Sequence, residues 1–309
     1  MQASVVICTR NRAASLQRTL ESVEAATRPS GDWELLIVDN GSTDHTADIV
    51  DSFKGRLPIR RVVEPEAGLS RARNRGVTEA TGEYIIWTDD DVVVDPGWLA
   101  GYLAAFSKHP TAALFAGQIH PELESPQTAW FAKGQKHLAS LLALREFSSE
   151  LPLSDRLVPF GANYAVHTAT QRQHPYDPEL GVAPGRRRGG EETAVARAIL
   201  SSGEAGITVP GSIVYHLIPL SRQSRDYVQE YYISDGESWP VMAPRPGVIV
   251  VGGAPAKMLL KLMISRIEYY IKRYLGGDWL PAFVEQARVI GTCKCWERYL
   301  SQLDHAGRP

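Results

Sequence analysis

Glu83-Tyr84-Ile85-Ile86-Trp87-Thr88-Asp89-Asp90-Asp91 is the stretch on which the fold turns. Its apolar centre, Tyr84 to Trp87, has the length of a buried strand and runs straight into three carboxylates. Upstream, Leu69 to Ala80 has helical spacing and is closed by Thr81-Gly82, and Ile59-Arg60-Arg61-Val62-Val63 before it reads as a strand. Further back, Trp33-Glu34-Leu35-Leu36-Ile37-Val38 is a strand broken by Asp39-Asn40-Gly41-Ser42. A helix is expected from Thr43 to Phe53, with Ser42 or Thr43 as its N-cap. The chain opens on the apolar run Ser4-Val5-Val6-Ile7-Cys8, followed by a helix with Leu16, Leu20 and Val23 on one face. Strands separated by helices of this length imply βαβ units and a mainly parallel sheet. Ligands of such sheets gather beyond the carboxyl ends of the strands. Three of those ends carry Thr9-Arg10-Asn11, Asp39-Asn40 and Asp89-Asp90-Asp91.

Downstream the pattern is less regular. Trp98 to Phe106 is expected to be helical and Ala113 to Ile119 extended. Residues 160 to 215 hold Gly- and Pro-rich turns, a helix near Glu191 to Ser201 and a strand ending at His216. The last 60 residues read as helical. Between Lys257 and Leu275 apolar residues dominate, while Lys257, Lys261, Ser265, Glu268 and Lys272 recur every three or four positions. That is an amphipathic helix with a basic stripe, suited to an anionic surface or to packing on the main domain. Residues 245–309 carry ten Lys/Arg against five Asp/Glu, a balance of +5, whereas residues 1–244 carry 23 against 30, a balance of −7. The asymmetry marks a separate C-terminal segment.

With 44% apolar and 22% charged residues among 309, the composition excludes a disordered chain, a collagen-like repeat and a disulfide scaffold. A net charge of −2 gives no support for a nucleic-acid partner. The three cysteines, Cys8, Cys293 and Cys295, suit a reducing compartment, and a cytoplasmic location is expected. Residues 1–20 show no apolar signal-peptide core, and no uncharged apolar run approaches the ~20 residues needed to span a bilayer.

Three adjacent carboxylates repel one another at neutral pH unless a cation offsets them. A divalent metal is the economical explanation, and hard oxygen ligands select Mg²⁺ or Mn²⁺. A solvated acidic turn ahead of the helix that follows Pro96 is the alternative. His216 sits at a strand end, within reach of such a metal or simply structural. Glu191-Glu192 follows Gly189-Gly190 and opens a helix, whose N-terminus favours carboxylates with or without a catalytic role.

Taken together, these segments resemble the family 2 glycosyltransferases. The resemblance is carried by Ser4 to Arg12, Glu34 to Asp44, Gly68-Leu69-Ser70-Arg71-Ala72-Arg73-Asn74-Arg75-Gly76, and Gly82 to Asp91, the strand leading into a DxD motif. Phe160-Gly161-Ala162-Asn163, Gly189-Gly190-Glu191-Glu192 and Val214-Tyr215-His216 continue it, so that it covers roughly residues 3 to 240. It implies a GT-A fold: an α/β domain with a mainly parallel, Rossmann-like nucleotide-binding sheet flanked by helices. Residues 1–97 would form the nucleotide-binding half, 98–244 the acceptor-binding half, and 245–309 a helical extension. It further implies that Thr9, Arg10, Asn11, Asp39, Arg73, Asp89 and Asp90 serve the nucleotide sugar. Asp91 would bind the metal, with His216 as a further ligand. Gly161, Asn163 and Glu191 would lie on the acceptor side. Glu192 would take the place of the catalytic base, which is often Asp in the family.

The implied activity is inverting, metal-dependent transfer from a nucleotide-diphosphate sugar, UDP-linked by default, to a hydroxyl of a glycan, lipid-linked or small-molecule acceptor. Cell-envelope or extracellular polysaccharide or glycolipid synthesis is the expected setting. Residues 255–275 would provide peripheral contact with the inner face of the membrane. Asp89-Asp90-Asp91-Val92-Val93 also fits the D-x-D-x-[TV] motif of haloacid dehalogenase-like phosphatases. That motif follows the first strand in those enzymes, and here three strand–helix units precede it. A nucleotidyltransferase would want glycines in Thr9-Arg10-Asn11-Arg12-Ala13. A sugar-binding protein without activity would not need Asp91, Glu192 and His216 together.

Overall fold

The structure, a computed structural model, describes residues 1–27, 32–125, 128–242, 250–251 and 254–305. The chain forms two compact units. The first comprises residues 1–122, 142–184 and 191–218 and contains the sheet; the second comprises 123–141, 185–190 and 219–309. This division differs from the expected boundary after residue 244, a position outside the described residues.

The sheet of the first unit has eight strands: β1 (Ala3–Thr9), β2 (Trp33–Asp39), β3 (Ile59–Val63), β4 (Tyr84–Asp89), β5 (Val92–Val94), β6 (Ala112–Leu123), β7 (Asn163–His167) and β8 (Ala205–Ile218). Their order is β3-β2-β1-β4-β7-β6-β8-β5. The pairs β2–β3, β1–β2 and β1–β4 are parallel; β4–β7, β6–β7 and β5–β8 are antiparallel. The order reverses at β1, because β2 and β3 build outward on one side and β4 returns to the other. Such a switch point opens a crevice at the carboxyl ends of the strands.

Alternation explains why these segments become central strands. Val5, Ile7, Leu35, Ile37, Tyr84 and Ile86 enter one core, while Val6, Leu36, Val38, Ile85 and Trp87 enter the other. Both sheet faces are therefore apolar, as a sheet covered by helices on both sides requires. The helices are α1 (Ala13–Ala25), α2 (Thr46–Ser52), α3 (Leu69–Glu79), α4 (Trp98–Lys108) and α5 (Glu191–Ser201). In α1 the buried residues include Leu16, Leu20 and Val23, the expected stripe.

One local expectation is corrected. Helix α2 begins at Thr46 rather than Thr43, and neither Ser42 nor Thr43 caps it. Asp44 performs that service, accepting from the Thr46 N–H at 3.1 Å and from the Thr46 hydroxyl at 2.5 Å. Ser42 and Thr43 are instead bonded to Asn11. The helix expected after Pro96 is present as Trp98–Lys108, and Val92–Val94 form β5 between the acidic run and it.

The second unit is helical, with α6 (Arg225–Met242), α7 (Ala256–Tyr274) and α8 (Leu280–His305). Helix α8 packs against both others. Gly236 and Gly291 lie where a Cβ would collide with the facing backbone at Arg288 and Ile233, so α6 and α8 approach at a distance only glycine allows. Arg288 pins the same pair through Asp235 at 2.7 Å. Among the described residues no helix is long and apolar enough to cross a membrane.

Candidate functional site

Strand register brings the three polar clusters together. Thr9 is paired with Asp39, and Cys8 with Asp89, so the ends of β2, β1 and β4 lie side by side. Asp90 and Asp91 occupy the turn between β4 and β5. Strand β5 pairs with β8 so that His216 faces Val92, and the Leu217 N–H donates to the Asp91 carbonyl at 3.0 Å. A residue 125 positions away is thus delivered to the acidic turn by register alone.

Within the turn, Arg12 binds two carboxylates at once. Its Nη1 lies 2.7 Å from Asp90 Oδ1 and its Nη2 2.8 Å from Asp91 Oδ2. The Thr9 hydroxyl donates to Asp90 Oδ2 at 2.7 Å. His216 Nε2 stands 3.7 Å from Asp91 Oδ1, while its Nδ1 meets the Leu142 carbonyl at 3.0 Å. That second contact fixes the ring with Nε2 turned toward Asp91. Burial pushes Asp90 up to about 7 against the pull of Arg12, and the neighbouring carboxylates add to the rise. Burial raises Asp89 as well.

A second cluster surrounds Arg73, which α3 projects into the first unit's interior. Its Nη1 lies 2.8 Å from Glu191 Oε1 and 3.9 Å from Glu192 Oε2, and its Nη2 lies 3.7 Å from Asp89 Oδ1. Only 4% of the Arg73 side chain is exposed, so one buried cation serves three carboxylates. The deficit of positive charge shows in their titration: burial raises Glu191, and burial together with Glu191 pushes Glu192 up to about 7. The two glutamates are not equivalent. Glu191 is held tightly by Arg73, whereas Glu192 has its Oε1 3.4 Å from the Thr193 hydroxyl and its Oε2 3.9 Å from Arg73. Gly161 makes the arrangement possible, because a Cβ there would lie 2.6 Å from Arg73 Nη2.

The remaining expected residues take positions around these clusters. Asp39 is buried; its Oδ1 accepts from the Ser42 N–H at 2.8 Å and its Oδ2 lies 2.7 Å from Arg61 Nη1. Arg10 is exposed and donates to the Asn40 carbonyl at 2.6 Å. Asn11 adopts φ 52°, a left-handed conformation that asparagine tolerates, and clamps Thr43 through its side-chain oxygen at 2.7 Å. Asn163 is fully buried. Its oxygen accepts from Trp98 Nε1 and the Tyr102 hydroxyl, and its nitrogen donates to the Gln118 and Ser212 carbonyls. All four bonds join it to the frame of the first unit.

Two residues were not singled out from sequence. Arg12 stands in the same short polar run as Arg10, and spacing does not tell which arginine turns toward the carboxylates. Asn40 belongs to a strand-end polar cluster but carries no assigned role in the sequence; its side chain bonds the Glu64 and Glu66 carbonyls and the Gly68 N–H, fixing the approach to α3.

The donor set can be compared with what a divalent cation needs. Asp91 offers carboxylate oxygen and His216 an imidazole nitrogen at a spacing compatible with shared coordination. Among the described residues no group of three or more His, Cys, Asp or Glu is arranged as a complete metal cage. A two-residue set fits Mg²⁺ or Mn²⁺ whose other positions are filled by water and phosphate oxygens.

The eight-stranded sheet, with its switch point at β1 and carboxylates at the ends of β2 and β4, has a fold of the GT-A type. The fold agrees with a mannosyltransferase from Pyrobaculum calidifontis in complex with GDP-Man and Mn²⁺, at a TM-score of 0.56 and 16% identity over 100% of this chain and 76% of that one. Residues 4–152 match the family described as glycosyl transferase family 2. Validoxylamine A glucosyltransferase of Streptomyces hygroscopicus subsp. jinggangensis is 36% identical over 132 residues, 40% of this chain and 31% of the relative. A PGL/p-HBAD biosynthesis glycosyltransferase of Mycobacterium bovis is 36% identical over 119 residues, 38% of this chain and 46% of the relative. The chain thus matches from a third to a half of the length of these relatives.

Proposed function

We propose that this protein transfers a sugar from a nucleotide-diphosphate donor to an acceptor hydroxyl with inversion, using Glu192 as general base. The observation that carries the proposal is the contrast within the acidic pair. Both are raised by burial, but Glu191 is held by Arg73 at 2.8 Å, while Glu192 stands 3.9 Å from it, loosely held and pushed up to about 7. A carboxylate of that basicity suits proton abstraction near neutral pH. Single inversion needs only one such base, because the attacking hydroxyl displaces the nucleotide from the opposite face of the sugar ring.

The donor is assigned to the ends of β1, β2 and β4, where Thr9, Arg10, Asn11, Asp39, Asp89 and Asp90 gather. Asp91 and His216 would hold the divalent cation. When bound, it supplies Lewis-acid stabilisation of the departing diphosphate. The mannosyltransferase neighbour, with GDP-Man and Mn²⁺, supports both a nucleotide-sugar donor and a metal. Arg12 holds Asp90 and Asp91 in place. Arg73 pulls the titration of both glutamates down against the effect of burial. UDP is the default nucleotide. The acceptor is a hydroxyl of a glycan, a lipid-linked saccharide or a small molecule, with envelope or extracellular glycan synthesis as the setting.

The test is release of nucleoside diphosphate from a panel of nucleotide sugars, without added acceptor, with and without Mn²⁺. Slow metal-dependent release from one nucleotide class is expected. No release from any of them, with or without metal, counts against the proposal.

A further inference from the structure

Helix α7 is apolar on two opposite sides, and among the described residues only one of them is packed within its unit. Met258 and Leu262 pack on Ala254, Val289 and Cys293, and Tyr269 lies against Trp279 and Phe283. Ser265 on the same side is buried. At 3.6 residues per turn, the opposite side presents Leu260, Ile264, Ile267, Ile271, Tyr274 and Leu275. Leu260, Ile264, Ile267 and Ile271 are 52–54% exposed, and Tyr274 is 91% exposed. With the other exposed apolar residues of the helix, this surface spans about 160° of arc and runs the full ~28 Å of the helix. Isolated exposed apolar residues need no explanation, but a continuous stripe of this size does.

Charge selects the occupant. Arg266 and Arg273 border one edge of the stripe, and Lys257, Lys261 and Lys272 the other. Lys261 is paired with Glu285 and Lys272 with Glu268, so each edge keeps at least one cation in excess of these two pairs. A second copy docked on this face would bring cationic edges together. A surface that is apolar within and anionic at its rim would complement both features. We infer that α7 lies in the plane of an anionic lipid surface, its apolar stripe at the acyl boundary and its two basic edges among the headgroups. The helix is too charged to cross the bilayer and long enough to anchor on it.

The test uses the full chain and vesicles of phosphatidylcholine with and without phosphatidylglycerol, read by co-flotation. Binding is expected to the anionic vesicles, to weaken as salt is raised, and to fall at least about tenfold in a triple variant Ile264→Ser, Ile267→Ser, Ile271→Ser. These side chains face solvent, so the variant should keep its thermal midpoint, which is measured alongside. Failure to bind, equal binding to both vesicle types, or binding that survives the triple variant overturns the inference. Sedimentation velocity without lipid covers the rival occupant: a dimer that the same substitutions dissociate, together with no vesicle binding, makes the stripe a self-association face.

Discussion

Replacing Arg73 by Met removes the cation shared by the buried Glu191 and Glu192 and the partly exposed Asp89, while roughly preserving the volume of its stem. The closest partner, Glu191, is 2.8 Å away, and both side chains are at most 5% exposed. Charge centres ~4 Å apart attract by about 4 kcal/mol at the effective dielectric of such a site. Breaking one side of a buried pair costs about 3–5 kcal/mol, because the stranded charge stays buried. For a domain of this size that loss lowers the thermal midpoint by about 6–20 °C. The loss also depends on pH, with a definite sign. Glu192 is pushed up to about 7 from an ordinary 4.5, so the folded state holds a proton that the unfolded chain releases in between. Stability from this group therefore falls as pH rises from 4.5 to 7. Without Arg73 the carboxyls are pushed higher still, so the variant should be nearest to the parent at pH 5 and furthest from it at pH 8. Thermal melts of both proteins across that range measure the gap. A deficit under about 1 kcal/mol, or one equal at both ends of the range, would refute the shared-cation description.

Glu192→Gln should bind nucleotide sugar as the parent does and transfer about 10²–10⁴-fold more slowly. In the parent, the transfer rate should rise with pH through a limb near 7, as Glu192 loses its proton, and the Gln variant should lack that limb; the pH–rate profile shows whether it does. Asn163→Leu leaves the Trp98 and Tyr102 donors and two carbonyls without their partner and should cost about 3–4 kcal/mol in a denaturant melt. A change in acceptor KM with stability intact would instead place Asn163 at the acceptor.

The β1 to β4 half of the sheet was legible because its strands are buried on both faces and its helices carry unbroken stripes, as Leu16, Leu20 and Val23 do in α1. Strand ends followed from chain order, so Thr9, Asp39 and Asp89 could be grouped before any register was known. Residues brought in from a distance were harder. His216 was singled out as a lone strand-end histidine, but its approach to Asp91 depends on β5, a three-residue strand hidden behind the acidic run. Strand β7 is five residues long, lies among turn-rich sequence and pairs antiparallel between β4 and β6, so local pattern did not reveal it. Arg12 and Asn40 act through side-chain geometry that composition does not encode. The arc of α7 that packs on α8 could not be told in advance from the arc left bare, since both are apolar.

The most direct measurement is a thermal-shift panel of nucleoside diphosphates with and without Mn²⁺, on the parent and on Asp91→Ala. A ligand at a hundred times its Kd stabilises by about 2.7 kcal/mol, a rise of about 5–10 °C. One nucleotide class should give that rise only with metal, and Asp91→Ala should abolish it. A rise that is indifferent to metal and to Asp91, or none with any nucleotide, would contradict a metal-assisted nucleotide-sugar site at these strand ends.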